Sequence, residues 1–297
     1  MYWNSLNDHL KRIYGTKVYK LALSSGCSCP NRDGTLGNRG CIFCDGAGAF
    51  AEAGDIPTQL EAAKRRVAAK TGAGAKYIAY FQSFTNTYGL IEQLEPMYRQ
   101  AMESEEVVAL SIATRPDCLP QEILDMWARL RKEKPVWAEL GLQTIHPETA
   151  DYIRRGYDLY VYEEAIRNLH DIGVEVIAHQ ILGLPGETAD MMVETAQYIG
   201  QTGADGIKFH LLHVLRNTDL AADWQAGKFC TMELEEYISV LEECVRNIPR
   251  EMVIHRLTGD GAKRDLLSPL WSGDKKRVIN AIHAAFVRDN VEQGSAL

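Results

Sequence analysis

Four of the chain's seven cysteines fall within residues 27–44, in the stretch GCSCPNRDGTLGNRGCIFC. Thiolates are soft ligands that suit zinc or iron–sulfur clusters. All four thiols, Cys27, Cys29, Cys41 and Cys44, could close a tetrahedral zinc site of the structural kind. Cys27 and Cys29 are separated by a single residue, however, whereas zinc knuckles use two to four. The alternative is Cys29-x11-Cys41-x2-Cys44 on a four-iron cluster, which leaves one iron open to an outside ligand. Spacing favours the cluster without excluding zinc. Cys118, Cys230 and Cys244 are scattered and read as ordinary buried thiols.

The elements that position this loop alternate. Strand-like segments at 18–24, 77–82, 107–113, 136–143, 174–182, 206–214 and 252–257 are apolar nearly throughout, as strands buried on both faces are. Amphipathic helical stretches lie near 57–70, 89–103, 120–132, 147–170, 187–201, 231–247 and 275–292, several opening on proline followed by an acid. Such repetition predicts an α/β fold of parallel strands with crossover helices. No linker or low-complexity segment divides residues 1–297, so one domain is expected. Chemistry in such folds gathers at the C-terminal strand ends. The cysteine loop, Gln82–Asn86, Thr114–Asp117, Gln143–His146 and Leu182–Glu187 all fall there.

The composition, 46% hydrophobic and 24% charged, is that of a soluble globular protein. No apolar run reaches the length of a membrane span, and the N-terminus lacks the basic and apolar regions of a secretory signal. A cytoplasmic location and free thiols are the expectation. A net charge of −8 argues against a nucleic-acid coat. The base is concentrated at the ends: Lys11, Arg12, Lys17, Lys20, Arg32 and Arg39 early, then Lys263, Arg264, Lys275, Lys276 and Arg277 late.

The stretches CPNRDGT, GCIFC, YFQSFTNTY, SIATRPDCL, ELGLQTIHPETADYIRRGYD, HQILGLPGET and KFHLLHVLRNT resemble a bacterial family of radical S-adenosylmethionine (SAM) proteins. That family is itself similar to the radical domain of the Elongator catalytic subunit, a tRNA-modifying enzyme. The match covers roughly residues 15–280 in order, and RLTGDGAKRDLLSPLW also fits. The resemblance implies a partial (β/α)6-type TIM barrel, with a core of about 15–215 and a C-terminal extension of about 216–297. It implies a [4Fe–4S] cluster on Cys29, Cys41 and Cys44, SAM as cofactor, and a one-electron donor such as flavodoxin or ferredoxin. A reduced cluster would cleave the sulfonium to a 5′-deoxyadenosyl radical that takes a hydrogen from substrate. The family carries an apolar residue at Cys27, so that thiol reads as core.

The resemblance and the strand ends together nominate the cofactor site. Gln82, Thr85 and Asn86 follow the second strand, where this superfamily holds the methionyl amino group. Thr114, Arg115 and Asp117 end the third; Arg115 offers a planar fork for a carboxylate, or else pairs with Asp117. Glu139 and Gln143 share one face of the fourth strand, and a buried Glu139 needs a partner, ribose hydroxyls or a nearby base. His179 and Gly183 lie where the superfamily approaches adenine. Lys208, unexpected on a barrel strand, and His210 are substrate-side candidates, with Asp117 a further one. Met191 and Met192 read as helix packing.

The expected substrate is tRNA, at the side chain of a wobble uridine, because an anticodon base can be splayed into a deep pocket. Lys11, Arg12, Lys17, Lys20, Lys275, Lys276 and Arg277 are the nucleic-acid candidates, expected to form one patch with Arg32 and Arg39 beside the cysteine loop. A peptide or small metabolite suits the acidic total better. A zinc-stabilised binding protein accounts for the thiols and leaves the strand-end motifs unexplained.

Overall fold

The computed structural model describes residues 2–46, 54–72, 74–259 and 263–297. The β-branched and aromatic runs form strands β1 (Val18–Leu23), β2 (Lys76–Phe81), β3 (Val107–Thr114), β4 (Val136–Gln143), β5 (Glu175–Leu182) and β6 (Gly206–Leu211). Two short strands, β7 (Val214–Leu215) and β9 (Leu266–Ser268), pair antiparallel, and β8 (Val253–Arg256) joins the main sheet. That sheet has seven strands in the order β1-β2-β3-β4-β5-β6-β8, each pair parallel. The partial barrel expected from the sequence is present, with a seventh strand drawn from beyond residue 215.

The helices are α1 (Leu6–Tyr14), α2 (Ile56–Val67), α3 (Ile91–Met102), α4 (Gln121–Leu130), α5 (Pro147–Tyr152), α6 (Leu159–Asp171), α7 (Ala189–Gln201), α8 (Asp219–Gln225), α9 (Leu234–Arg246) and α10 (Lys275–Arg288). Parallel strands need crossovers, and the helices that supply them cover the sheet's outer face. Leu21, Phe81, Leu110, Leu140, Val176 and Phe209 belong to the main apolar cluster there. The sheet must curl. Flat, β2 and β6 would lie four strand spacings or about 19 Å apart, yet Lys208 Nζ donates to the Tyr80 hydroxyl at 3.1 Å.

Inward residues stack in layers. The lowest is apolar: Ile78, Ala109, Trp137 and Ile177 close on Leu10 of α1, which plugs the barrel's bottom. Helix α1 is capped by Ser5, whose side chain accepts from the Asp8 N–H, and ends at Gly15, where φ of 72° turns the chain into β1. Above it lies a polar layer of Lys20, Tyr80, Ser111, Glu139, His179 and Lys208, joined by ion pairs and hydrogen bonds.

Several elements differ from the sequence expectation. The stretch 147–170 is two helices, broken where Arg154 and Gly156 take φ of 59° and 79°. The sixth strand stops at Leu211. Helices α1 and α8 were not foreseen, being too short for a clear periodicity. Among the described residues no helix is long and apolar enough to cross a membrane.

Candidate active site

The loop leaving β1 is folded by its own backbone. Arg32 N–H donates to the Cys29 carbonyl at 2.8 Å, Gly40 N–H to Asn31 at 2.7 Å, and Cys44 N–H to Cys41 at 3.0 Å. Ile42 pins the loop, its N–H donating to the Ile153 carbonyl and its carbonyl accepting from Leu220. Its side chain enters an apolar cluster with Ile153, Ile181, Leu184 and Leu220, against which Phe43 packs. The Cys29, Cys41 and Cys44 thiols, all part-buried, line one cavity of about 290 Å³ at the barrel mouth. Burial, then the neighbouring Cys44, pushes Cys41 up to about 11, although Asn31 donates to its sulfur at 3.4 Å. Cys27 lies outside this cavity, its sulfur 3.3 Å from where a Cβ on Gly89 would stand. Cys118 and Cys244 are buried as expected, but Cys230 is exposed.

Arg32 was read as a member of a basic surface set; the structure places it inside the loop. Its guanidinium donates to the Cys44 carbonyl at 2.6 Å and lies over the Phe84 ring. It interacts electrostatically with Cys44, Cys29 and Cys41. A Cβ at Gly40 would stand 2.8 Å from it, and one at Gly46 2.9 Å, so both glycines make room. Those glycine spacings were the available signal.

The strand-end candidates divide. Gln82, Thr85, Thr114, Arg115, Glu139, Gln143, His179 and His210 line the cavity. Asn86 does not reach it. Its amide donates to the Ala113 carbonyl at 2.8 Å and to Ser83 at 3.0 Å, and its oxygen accepts from Ser25, so it ties three loops together. Thr114 accompanies Thr87, which donates to the Cys118 carbonyl. The Arg115 fork is already closed on Asp117, at 2.9 and 2.8 Å, and stacks over Tyr157. Gly183 is covered rather than open to the cavity, since a Cβ there would meet the Met232 sulfur at 3.0 Å. Arg155 and Tyr157, brought in by the break between α5 and α6, line the cavity and escaped sequence reasoning. The RRGYD turn was their signal.

Glu139 does not wait for ribose hydroxyls. One oxygen accepts from Lys20 Nζ at 2.6 Å and Ser111 Oγ at 2.6 Å; the other accepts from His179 Nε2 at 3.0 Å and Lys208 Nζ. A carboxylate has about four acceptor sites, and all are used. Burial alone would raise this carboxyl, but Lys20 and Lys208 hold it well below the usual range. Burial drives Lys208 down against the pull of Glu139. Burial and Lys208 push His179 down to about 4, so it is neutral, and the acceptor-only carboxylate requires its proton on Nε2. His210 stacks tilted against His179, centroids 5.1 Å apart, with its buried Nε2 unpartnered.

The single basic patch is not formed. Lys20 faces into the barrel as the partner of Glu139. Lys11, Arg12 and Lys17 lie below the strands, at the N-terminal end of a six-residue β1 whose far end carries the cysteine loop. Lys275, Lys276 and Arg277 are exposed at the start of α10. That start follows Trp271, whose Nε1 donates to the Met232 carbonyl beside Gly183, so it sits toward the mouth. Arg39 pairs with Asp219.

Among the described residues no three His, Cys, Asp or Glu groups close around one ion. Thiols standing around a cavity suit a cluster, in which each meets its own iron, better than one tetrahedral zinc.

A Radical SAM superfamily model matches residues 34–199, and a Radical_SAM C-terminal domain model matches 204–288. The chain therefore belongs to the radical SAM superfamily, whose members use a [4Fe–4S] cluster and SAM. It is 41% identical to the uncharacterized protein YtqA of Bacillus subtilis (strain 168), covering 98% of this chain and 92% of that one. It is 27% identical over 156 residues to the tRNA uridine(34) acetyltransferase of Methanocaldococcus jannaschii, 52% of this chain and 28% of that one. The fold matches archaeal Methanocaldococcus infernus Elp3 with TM-score 0.73 at 19% identity, over 93% of this chain and 64% of that one.

Proposed function

We propose that this chain cleaves SAM reductively and applies the resulting radical to a tRNA substrate, at the side chain of a wobble uridine. The observation that carries the radical chemistry is three thiols facing one cavity sunk between parallel strands. Cys29, Cys41 and Cys44 would hold the cluster, which when bound with SAM supplies one-electron cleavage and a hydrogen-abstracting carbon radical. Gln82 and Thr85 after β2, and the Gly141–Gln143 segment of β4, would position SAM. Asn86, Thr114 and the Arg115–Asp117 pair would hold that wall rigid. Ile42, Phe43 and the loop closed around Arg32 would keep water from the mouth, where a flavodoxin- or ferredoxin-type donor would deliver its electron. Residues 1–297 would act as one unit, the core of about 15–215 extended by 216–297.

Likeness to tRNA uridine(34) acetyltransferase supports the tRNA reading. The net charge of −8 and the separation of the two basic sets favour a second reading, a peptide or small metabolite. The modified nucleosides of tRNA from cells with and without the gene decide between them. The tRNA reading expects one uridine derivative to vanish, to return with the wild-type gene, and not to return with Cys41→Ala. An unchanged nucleoside profile rejects tRNA.

A further inference from the structure

The turn between α5 and α6 is bonded to two walls of the cavity. Toward the cysteine loop, the Ile153 carbonyl accepts from the Ile42 N–H at 3.2 Å, and the Arg154 carbonyl accepts from Asn31 Nδ2 at 2.7 Å. Asn31 is buried, and the same nitrogen donates to the Cys41 sulfur at 3.4 Å. Toward β4, the Tyr157 hydroxyl donates to the Gly141 carbonyl, and Arg155 donates to the Thr144 carbonyl at 2.6 Å. The sheet holds that end of β4 loosely: its pairs with β3 stop at Leu140, and its register with β5 slips between Gly141 and Gln143. Gln143 takes φ of 67° and folds its amide over Gly141, where a Cβ would stand 2.6 Å from it. The Tyr157 ring is itself held, with the Arg115 and Arg155 guanidiniums 5.3 and 4.8 Å from its centroid. Its hydroxyl is therefore a donor with a fixed position.

We infer that Tyr157 is a positioning residue for SAM, setting the Gly141–Gln143 wall against the cysteine loop through the turn to which it belongs. The loop leaves β1 and the wall ends β4, so the sheet relates them across two intervening strands, β2 and β3. The turn relates them directly, within residues 154–157, from the Asn31 bond at one end to the Gly141 bond at the other. Error in that spacing is costly, because reaction between held groups depends on their placement to about 1 Å. The inference rests on reading Gly141–Gln143 as part of the SAM wall, and it requires no contact between Tyr157 and SAM.

The test uses the full chain with its cluster reconstituted anaerobically. Tyr157→Phe keeps the ring beside both guanidiniums and removes only the hydroxyl. SAM binding is titrated by calorimetry without reductant, so no turnover intervenes. Iron content, and the electron paramagnetic resonance spectrum of the dithionite-reduced cluster without SAM, should match the wild type. Affinity for SAM should fall roughly threefold to tenfold, the loss expected for one neutral hydrogen bond. The spectrum of the reduced cluster frozen with saturating SAM should differ from that of the wild type, which a loss of stability alone would not produce. Asn31→Leu, at the other end of the turn and outside the cavity, should also weaken SAM binding per cluster formed, and it decides if Tyr157→Phe fails to fold. Unchanged affinity in either variant overturns the role. So does a wild-type SAM-bound spectrum in Tyr157→Phe, or iron lost there in step with affinity. A wild type that binds no SAM rejects the cofactor reading itself; a wild type that binds SAM no better than Tyr157→Phe rejects the positioning role alone.

Discussion

Glu139 on β4 and Lys208 on β6 form an ion pair across the intervening β5, with side chains 0% and 3% exposed. The same carboxylate answers Lys20 from β1 and Ser111 from β3. One side chain therefore joins elements from across the sheet and holds the curl that makes a chamber. Removing it strands two ammoniums in the interior. Glu139→Leu should cost about 3–5 kcal/mol, the range for breaking a buried pair by deleting one partner. Adding Lys208→Met should recover part of that loss, with a coupling of about 0.5–3 kcal/mol. Urea midpoints of the two singles and the double measure it; strict additivity would show that the pair is not the keystone.

The buried histidines make stability depend on pH. Burial and Lys208 hold His179 near 4, and burial also drives His210 and His255 well below the usual histidine value. Unfolded, each would titrate near 6.5, so between about pH 6.5 and 4 the unfolded chain binds more protons than the folded one. Stability is therefore full above that window and falls as pH drops through it. Each histidine contributes up to about 1.4 kcal/mol per pH unit. The depressed Glu139 carboxyl acts in the same direction at lower pH: its contribution is present above the unfolded value and lost on further acidification. Urea unfolding across this range should show a steep acid limb, shallower in His179→Gln. An unchanged slope would mean that His179 is protonated in the fold.

The three cavity thiols should be equivalent in effect, and Cys27 should differ. Cys29→Ala, Cys41→Ala and Cys44→Ala should each abolish formation of 5′-deoxyadenosine from SAM and dithionite, with loss of the cluster's broad visible absorption. Cys27→Ala, whose sulfur packs against Gly89 outside the cavity, should retain most of both. A Cys27→Ala variant as damaged as the others would transfer that thiol to the ligand set.

Arg32 makes a claim on potential rather than on fold. A fixed positive charge beside the thiolates favours the reduced, more negative cluster. Arg32→Leu should therefore move the cluster's midpoint to more negative values. Arg32→Lys, which keeps the charge but loses the planar fork that reaches the Cys44 carbonyl, should shift it less. A titration monitored by electron paramagnetic resonance reads both. Equal midpoints in all three proteins would reduce Arg32 to a loop brace.

Local patterns were enough for the strands, since a run such as Val107–Thr114, apolar at almost every position, has no stable home except between two covered faces. The crowding of Cys29, Cys41 and Cys44 was likewise legible, because thiols so close in sequence have few other uses. Tertiary structure alone decided which polar residues face the chamber. Lys20 looked like one more surface lysine, yet the curl of the sheet turns it onto Glu139, three strands away. Arg115 and Asn86 had the right side chains for a ligand, but their own neighbours had already taken them. Arg32, Arg155 and Tyr157 entered the site through turns whose left-handed residues no periodicity announces. The two basic ends looked able to meet, but α1 plugs the bottom of the barrel while α10 begins toward its mouth. Spacing along the chain reports which groups can share an element; which groups share a cavity depends on how far the sheet bends.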